Sequence, residues 1–427
     1  MSKNNAKKAK MLTKSVKYYI QKPVDSDRDT LSQYFNLLSN DTARGLNYCM
    51  TGWYLYGKKR EDGKVDTGKK NNKGYSVYKY PDISMPYFYK DLTKMFPYMA
   101  TKTISCIEQT AKNRWKNDHI DCLLRQEKSL STFKKTMGVM QHNQQYKLIK
   151  DEDGYKVRLN LFSQKEKERQ RNITVLLKTK KITGHQRVTL KRIFAGEYKK
   201  QMLTLKRDRK GKLFLLMSYQ FEQKKEEGLN PDRIVGVDLG VHHAFYCAVS
   251  DDDYAKVYQI GNDVQKMRDQ MRQRKRSIGN QSRISGRKGH GRAKMLEPLE
   301  HLREKERNFS KLRNHEYARA IVNFAVTKKA GVIQLEDLSD MTAKKREAGK
   351  KDDYFFLKGW PIYDLVTKIK EKAAEYGIEV REVNPRFTSK RCYKCGKIHR
   401  YMTVNDRVMD CQCENKIDRD FNAAKNL

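Results

Sequence analysis

The sequence contains no long hydrophobic run. Its longest apolar stretches, such as "FLLM" and "IVGV", are strand-sized, far short of the about 20 residues that a spanning helix requires. The first residues, "MSKNNAKKAKML", are basic but lack the apolar centre of a secretory signal. A cytoplasmic chain with no membrane partner is therefore expected. Acidic charge is scarce as well: 51 Asp and Glu face 91 Lys and Arg, a formal net charge of +40 over 427 residues. That excess is more than solubility asks for and points to a polyanion, nucleic acid before any other. If about ten of these cations neutralised phosphates, log K would fall with log salt at a slope near −9. There is no internal repeat, and roughly 150 residues per domain implies two to three domains.

Disulfides are not expected in such a compartment, so the eight cysteines read as thiols or metal ligands. Cys49, Cys106, Cys122 and Cys247 stand singly and read as buried thiols. Cys392, Cys395, Cys411 and Cys413 cluster in "RCYKCGKIHRYMTVNDRVMDCQC". The first pair, C-x-x-C-G, is a well-formed zinc knuckle, whose glycine lets backbone N–H groups turn toward the sulfurs. The second is C-x-C. Four thiolates would close a tetrahedral structural site with no place for water; Asp410 or His399 in place of one thiolate is the alternative.

The organisation shows in changes of texture. "SVKYYIQKP" alternates as a strand, and helical text runs from about Asp25 to about Met140, broken by the exposed loop "GKKREDGKVDTGKKNNKG". Its rings Trp53, Tyr54, Tyr56 and Trp115 suit a core better than nucleotide stacking. Short strands with turns, among them "YKVRLNLF", "NITVLLKT" and the hairpin around "DRKGK", then imply a small β-barrel to which the first strand returns. From Ile234, strands alternate with helices, as in a mixed α/β domain. One long helix is expected to bury Phe309, Leu312, Ala320, Ile321 and Phe324, and another runs from Pro361 to a Gly377 cap. The basic run Lys266–Lys294 is either a solvated face or a nucleic-acid contact.

Three acids sit at the edges of buried elements. Asp238 ends "IVGVD", Glu336 ends "VIQLE", and Asp420 opens "DFNAAKN", where an acid also suits a helix start. Each alone is weak, since Asp420 could be a plain cap. Brought together they would repel one another unless divalent cations compensated. Two Mg²⁺ ions about 3.5–4 Å apart on such hard oxygen ligands serve phosphodiester hydrolysis. Two strand-end acids followed by a helical one fit a ribonuclease H-like fold. His242 and His243, near Asp238, read as structural, because a two-metal site needs no separate base.

"GVDLGV", "VIQLEDL", "PRFTSKRCYKCG" and "DRDFNAAKN" resemble the split RuvC motifs and inserted zinc ribbon of transposon-encoded TnpB nucleases and of compact type V CRISPR-associated RNA-guided DNA endonucleases. "RIFAGEY" and "GRKGHGRAKMLEPLEHLREKERNFSKLRNHEYARAIV" are most similar to the miniature type V-F effectors of antiviral defence. The resemblance implies a bilobed α/β protein with β-barrel and helical lobes. Residues 1–24 and 141–226 would form a wedge β-barrel and 25–140 a helical recognition domain. Residues 227–390 and 418–427 would form RuvC, with a zinc-ribbon insert at 391–417. It implies a guide RNA, a double-stranded DNA target beside a short adjacent motif, and an asymmetric homodimer on one guide. It makes Asp238, Glu336 and Asp420 the Mg²⁺ ligands and Arg391 a basic residue near the scissile strand. The family's second zinc pair is also C-x-x-C-G; here Asp410 takes its first cysteine position and no glycine follows Cys413. Three other readings are a TnpB-type nuclease with a transposon-derived guide, a non-cleaving nucleic-acid binder, and a transposase.

Overall fold

The computed structural model describes residues 10–427 except 73, 180–181, 225, 241–242, 261, 338–361 and 404–405. The chain forms two compact units, Lys10–Glu222 and, from Gln223, the remainder.

The first unit opens with β1 (Met11–Pro23), then α1 (Arg28–Asp62). Asp27 caps α1 by accepting from the Thr30 amide at 2.7 Å, and Leu31, Phe35, Leu38, Leu46, Cys49 and Trp53 recur at helical spacing on its buried face. The lysine-rich stretch expected to be a loop instead pairs as a hairpin, β2 (Val65–Lys70) with β3 (Ser76–Lys79). Every residue of both strands is exposed, so no apolar alternation announced them. Helices α2 (Tyr89–Met95) and α3 (Thr101–His119) follow, and a π-turn ends the helical text at Leu124, earlier than its polarity suggested. Trp53 and Trp115 are buried in this core.

The strands β4 (Val139–Gln141), β5 (Tyr146–Asp151), β6 (Gly154–Asn160) and β7 (Asn172–Leu177) come next, then α4 (Gly184–Phe194), β8 (Lys199–Arg207) and β9 (Leu213–Glu222). They form one antiparallel seven-stranded sheet in the order β4-β8-β9-β1-β7-β6-β5. The first strand does return to it. Met11–Tyr19 pair with β9 while Ile20–Pro23 pair with β7 across a register shift, so β1 carries the chain from one half of the curled sheet to the other. Helix α4 was not read from the sequence; a Thr183–Gln186 capping box starts it.

The second unit is built on β10 (Asn230–Asp238), β11 (His243–Val249) and β12 (Asp252–Ile260), then α5 (Asn262–Ile284) and α6 (Gly289–Thr327). The basic run is therefore helical across most of its length. After these come β13 (Ala330–Glu336), α7 (Ile362–Tyr376), β14 (Glu379–Val383), the short hairpin β15 (Val408–Asp410) and β16 (Lys416–Asp418), and α8 (Arg419–Asn426). The sheet order is β12-β11-β10-β13-β14, antiparallel through β10 and parallel from β10 to β14.

Side-chain alternation gives this sheet two faces. Val235, Val237, Phe245, Cys247, Ile333 and Leu335 pack with Tyr317, Ile321 and Ala325 of α6 and Leu365 and Ile369 of α7. Leu312 was expected on that buried stripe but is 58% exposed. The inward stripe of α6 runs instead through Ser310, Asn314, Tyr317 and Ile321. The opposite face carries Tyr246 and Ala248, which pack against Phe421 and Ala424 of α8. Gly236 lies under α8: a Cβ there would stand 2.0 Å from the Ala424 carbonyl oxygen. Only glycine lets the helix lie this close to the strand.

Candidate active site

The alternation that buries Val237 and Leu335 sends Asp238 and Glu336 to the face that holds α8. Val237 pairs with Leu335 in the parallel ladder, so the two acids sit side by side at adjacent strand ends. Asp420 lies in the first turn of α8, whose cap Asp418 accepts from the Asp420 and Phe421 amides at 2.8 and 3.1 Å. The three acids read from the sequence are thus brought to one site.

Their electrostatics agree. Burial pushes Asp238 well above the usual carboxylate range, and the Glu336 and Asp420 charges add to the effect, with Arg419 opposing it. Burial also raises Glu336, against a hydrogen bond from Thr388 and the Arg419 charge. A buried carboxylate raised further by two neighbouring acids is a poor arrangement for stability and a good one for divalent cations, whose charge removes the repulsion.

Sequence reasoning passed over the groups that surround the acids. His243, expected to be structural, is buried, and its Nδ1 hydrogen-bonds Asp420 Oδ2 at 2.7 Å. His242 lies outside the described residues. Thr388 donates its hydroxyl to Glu336 Oε1. No spacing rule marks either residue.

The four clustered cysteines also converge, with their sulfurs all within 4.8 Å of one another. Cys392 Sγ lies 3.7 Å from Cys413 Sγ and Cys395 Sγ 3.5 Å from Cys411 Sγ. A tetrahedral zinc at about 2.3 Å from each sulfur requires separations near 3.8 Å. Asp410 and His399 are not in the cluster; Asp410 faces Lys416 at 3.5 Å. The glycine missing after the second pair has a backbone counterpart. Gly396 takes φ +75° after Cys395, and Glu414 takes φ +62° after Cys413, occupying the left-handed position without being a glycine. Burial opposes the Cys392 thiolate, but the Cys395 amide, the Asn415 side chain and the Lys394 amide outweigh it and bring that thiol down to about 6.

The cysteine ribbon is tied to α8. Asn422, fully buried, donates to the Arg391 carbonyl at 2.8 Å and accepts from the Tyr393 amide at 3.1 Å. Asn426 donates to the carbonyls of Arg391 at 2.6 Å and Thr388 at 2.9 Å. This is what the asparagines of "DFNAAKN" do. Arg391 itself is exposed next to Cys392.

A mixed five-stranded sheet with acids at two adjacent strand ends and a third on the helix packed across them defines a RuvC-type nuclease domain of ribonuclease H-like fold. Residues 363–427 match the family described as "Cas12f1-like, TNB domain". The CRISPR-associated endodeoxyribonuclease Cas12f1 of Syntrophomonas palmitatica is 32% identical over 404 residues, 90% of this chain and 75% of that protein. The Cas12f1 of Sulfoacidibacillus thermotolerans is 30% identical over 426 residues, 97% of each. A cryo-EM structure of a Cas12f1–sgRNA–target DNA complex has the same fold, with a TM-score of 0.71 at 20% identity over 97% of this chain and 98% of that one. The chain belongs to the Cas12f1 family, as its motifs implied.

Proposed function

We propose that this protein is an RNA-guided DNA endonuclease. It binds a guide RNA, recognises and unwinds double-stranded DNA beside a short adjacent motif, and hydrolyses phosphodiester bonds at Asp238, Glu336 and Asp420. The observation that carries this reading is the meeting of three half-buried carboxylates on one face of the sheet, in a chain matching Cas12f1 relatives over nearly its whole length. The +40 net charge supplies the affinity for two polyanions.

The donor set fits two Mg²⁺ ions, held by these three acids. Such a pair supplies activation of water and stabilisation of the leaving oxygen. The protein's own part is to fix the ligands. Two rigid strand ends set Asp238 and Glu336, and α8, seated on Gly236, sets Asp420. Arg419 offsets part of the negative charge, and the exposed Arg391 offers a cation to the scissile strand's phosphate. The four cysteines fit a structural Zn²⁺ that holds the ribbon to which Asn422 and Asn426 bind α8.

The domain partition that goes with this reading makes residues 1–24 and 141–226 the wedge β-barrel and 25–140 the helical recognition domain. RuvC comprises 227–390 and 418–427, around a zinc insert at 391–417. Two copies assemble asymmetrically on one guide. The test is to purify the Asp238→Ala protein from its host and sequence the RNA that accompanies it. Repeat-derived RNA with varied spacers supports the proposal. RNA from a transposon end would move the protein to the TnpB class, and absence of any discrete RNA would remove guidance altogether.

A further inference from the structure

Two of the three acids have one oxygen already engaged by a buried side chain. We propose that His243 and Thr388 are positioning residues of the nuclease centre, each holding one oxygen of a carboxylate, Asp420 and Glu336 respectively, so that the other oxygen is presented to a divalent cation. This rests on the reading of those acids as metal ligands.

The case for His243 begins with a defect in the sheet. In a regular strand His243 would share the face of Phe245 and Cys247, away from α8. The β11–β12 ladder, however, shifts register between His243 and Phe245: Phe245 pairs with Gln259 and His243 with Ile260, leaving Ala244 as an extra residue. A bulge of this kind re-aims a side chain, and here it turns His243 toward Asp420. The ring is then pinned. It lies edge-on to Tyr246 and to Tyr258, both at 5.1 Å between centroids, and those two tyrosines stack on each other at 4.9 Å. A carboxylate only accepts, so Nδ1 carries the proton in the 2.7 Å contact with Oδ2.

Thr388 serves Glu336 by a separate route. Its hydroxyl donates to Glu336 Oε1, and its carbonyl accepts from Asn426 of α8 at 2.9 Å. The helix that carries one acid thus also anchors the residue that orients another. Both positioning residues are under 10% exposed, at 6% for His243 and 8% for Thr388. A carboxylate held this way has lost its rotational freedom before the cation arrives, and outer partners of metal ligands typically govern about 10- to 100-fold in metal affinity.

The test is calorimetric titration of Mn²⁺ into the full-length, RNA-free protein, with thermal stability measured alongside. Thr388→Val keeps the shape and removes the hydroxyl, whereas Thr388→Ser restores it. His243→Phe keeps a ring without a donor, whereas His243→Asn puts an N–H near the position of Nδ1. The donor-free variants are expected to bind Mn²⁺ about 10- to 100-fold more weakly and the donor-retaining ones within about threefold of wild type. The Mg²⁺ concentration for half-maximal cleavage should rise in the same order. If Phe at 243 prevents folding, His243→Leu takes its place as the donor-free variant. Unchanged Mn²⁺ affinity in folded Thr388→Val and His243→Phe proteins overturns the positioning role while leaving the acids as the metal site. Failure of the wild type to bind Mn²⁺ any better than Asp238→Asn overturns the metal-site reading itself, and the positioning role with it.

Discussion

Gly236→Ala sets two physical effects against each other. In an isolated strand, replacing glycine with alanine restricts the unfolded chain and stabilises by roughly 0.5–1 kcal/mol. At this position the new Cβ would lie 2.0 Å from the Ala424 carbonyl oxygen and 3.0 Å from the Leu427 carbonyl carbon and Cβ. Neither neighbour is the free end of a flexible side chain, so α8 must retreat by about 1 Å to reach ordinary contact. The overpacking costs about 1–3 kcal/mol, which outweighs the entropy gain. Asp420 moves with the helix, and a displacement of about 1 Å at a reacting centre is worth on the order of a hundredfold in rate. The expected result is a single-turnover cleavage rate down about a hundredfold at saturating Mg²⁺, with guide RNA affinity unchanged, because the substitution disturbs only the seat of α8. Cleavage within about threefold of wild type, together with a raised melting temperature, would refute the close approach as the reason for this glycine.

Other outcomes follow from the same packing. Asp238 is raised by burial and by its neighbouring carboxylates, so the folded metal-free protein holds a proton that the unfolded chain has released. Its stability without metal should therefore fall as pH rises above the usual carboxylate range toward the folded value, and added Mg²⁺ should offset the fall. Asp238→Asn should flatten that part of the pH–stability curve and raise the melting temperature in EDTA; an unchanged slope would contradict the coupling. Cys395→Ser should lose one equivalent of zinc by elemental analysis and slow cleavage, since the ribbon anchors α8 through Asn422; full activity without zinc would separate the two. Glu414→Gly should gain up to about 1 kcal/mol in denaturant unfolding, because glycine takes φ +62° without steric cost while freeing the unfolded chain; a loss of stability would point to a role for the Glu414 side chain.

The parts of this protein that follow a period were readable in the sequence, and those that break one were not. Asp238 and Glu336 stood out because each ends an apolar run that only a buried strand explains, and β13 lies beside β10 with the acids in register. The hairpin β2–β3 was missed because exposure on every residue leaves no alternation to detect. The stripe of α6 was misjudged at Leu312, where polar Ser310 and Asn314 take the inward positions. His243 was set aside because a two-metal site needs no separate base, and its turn toward Asp420 depends on the extra residue at Ala244, which no strand period announces. The second cysteine pair looked defective by spacing and by its missing glycine, yet all four sulfurs converge and Glu414 adopts the backbone conformation that the glycine would have supplied.

The central claim is tested most directly by loading the purified protein with its guide RNA and following Mg²⁺-dependent cleavage of matched double-stranded DNA. Wild type would be compared with Asp238→Asn, Glu336→Gln and Asp420→Asn, with DNA binding measured on the same samples. Cleavage by wild type, its loss in each single variant, and undiminished binding in all four are expected. Residual cleavage near the wild-type rate in any one variant would place the nuclease centre elsewhere.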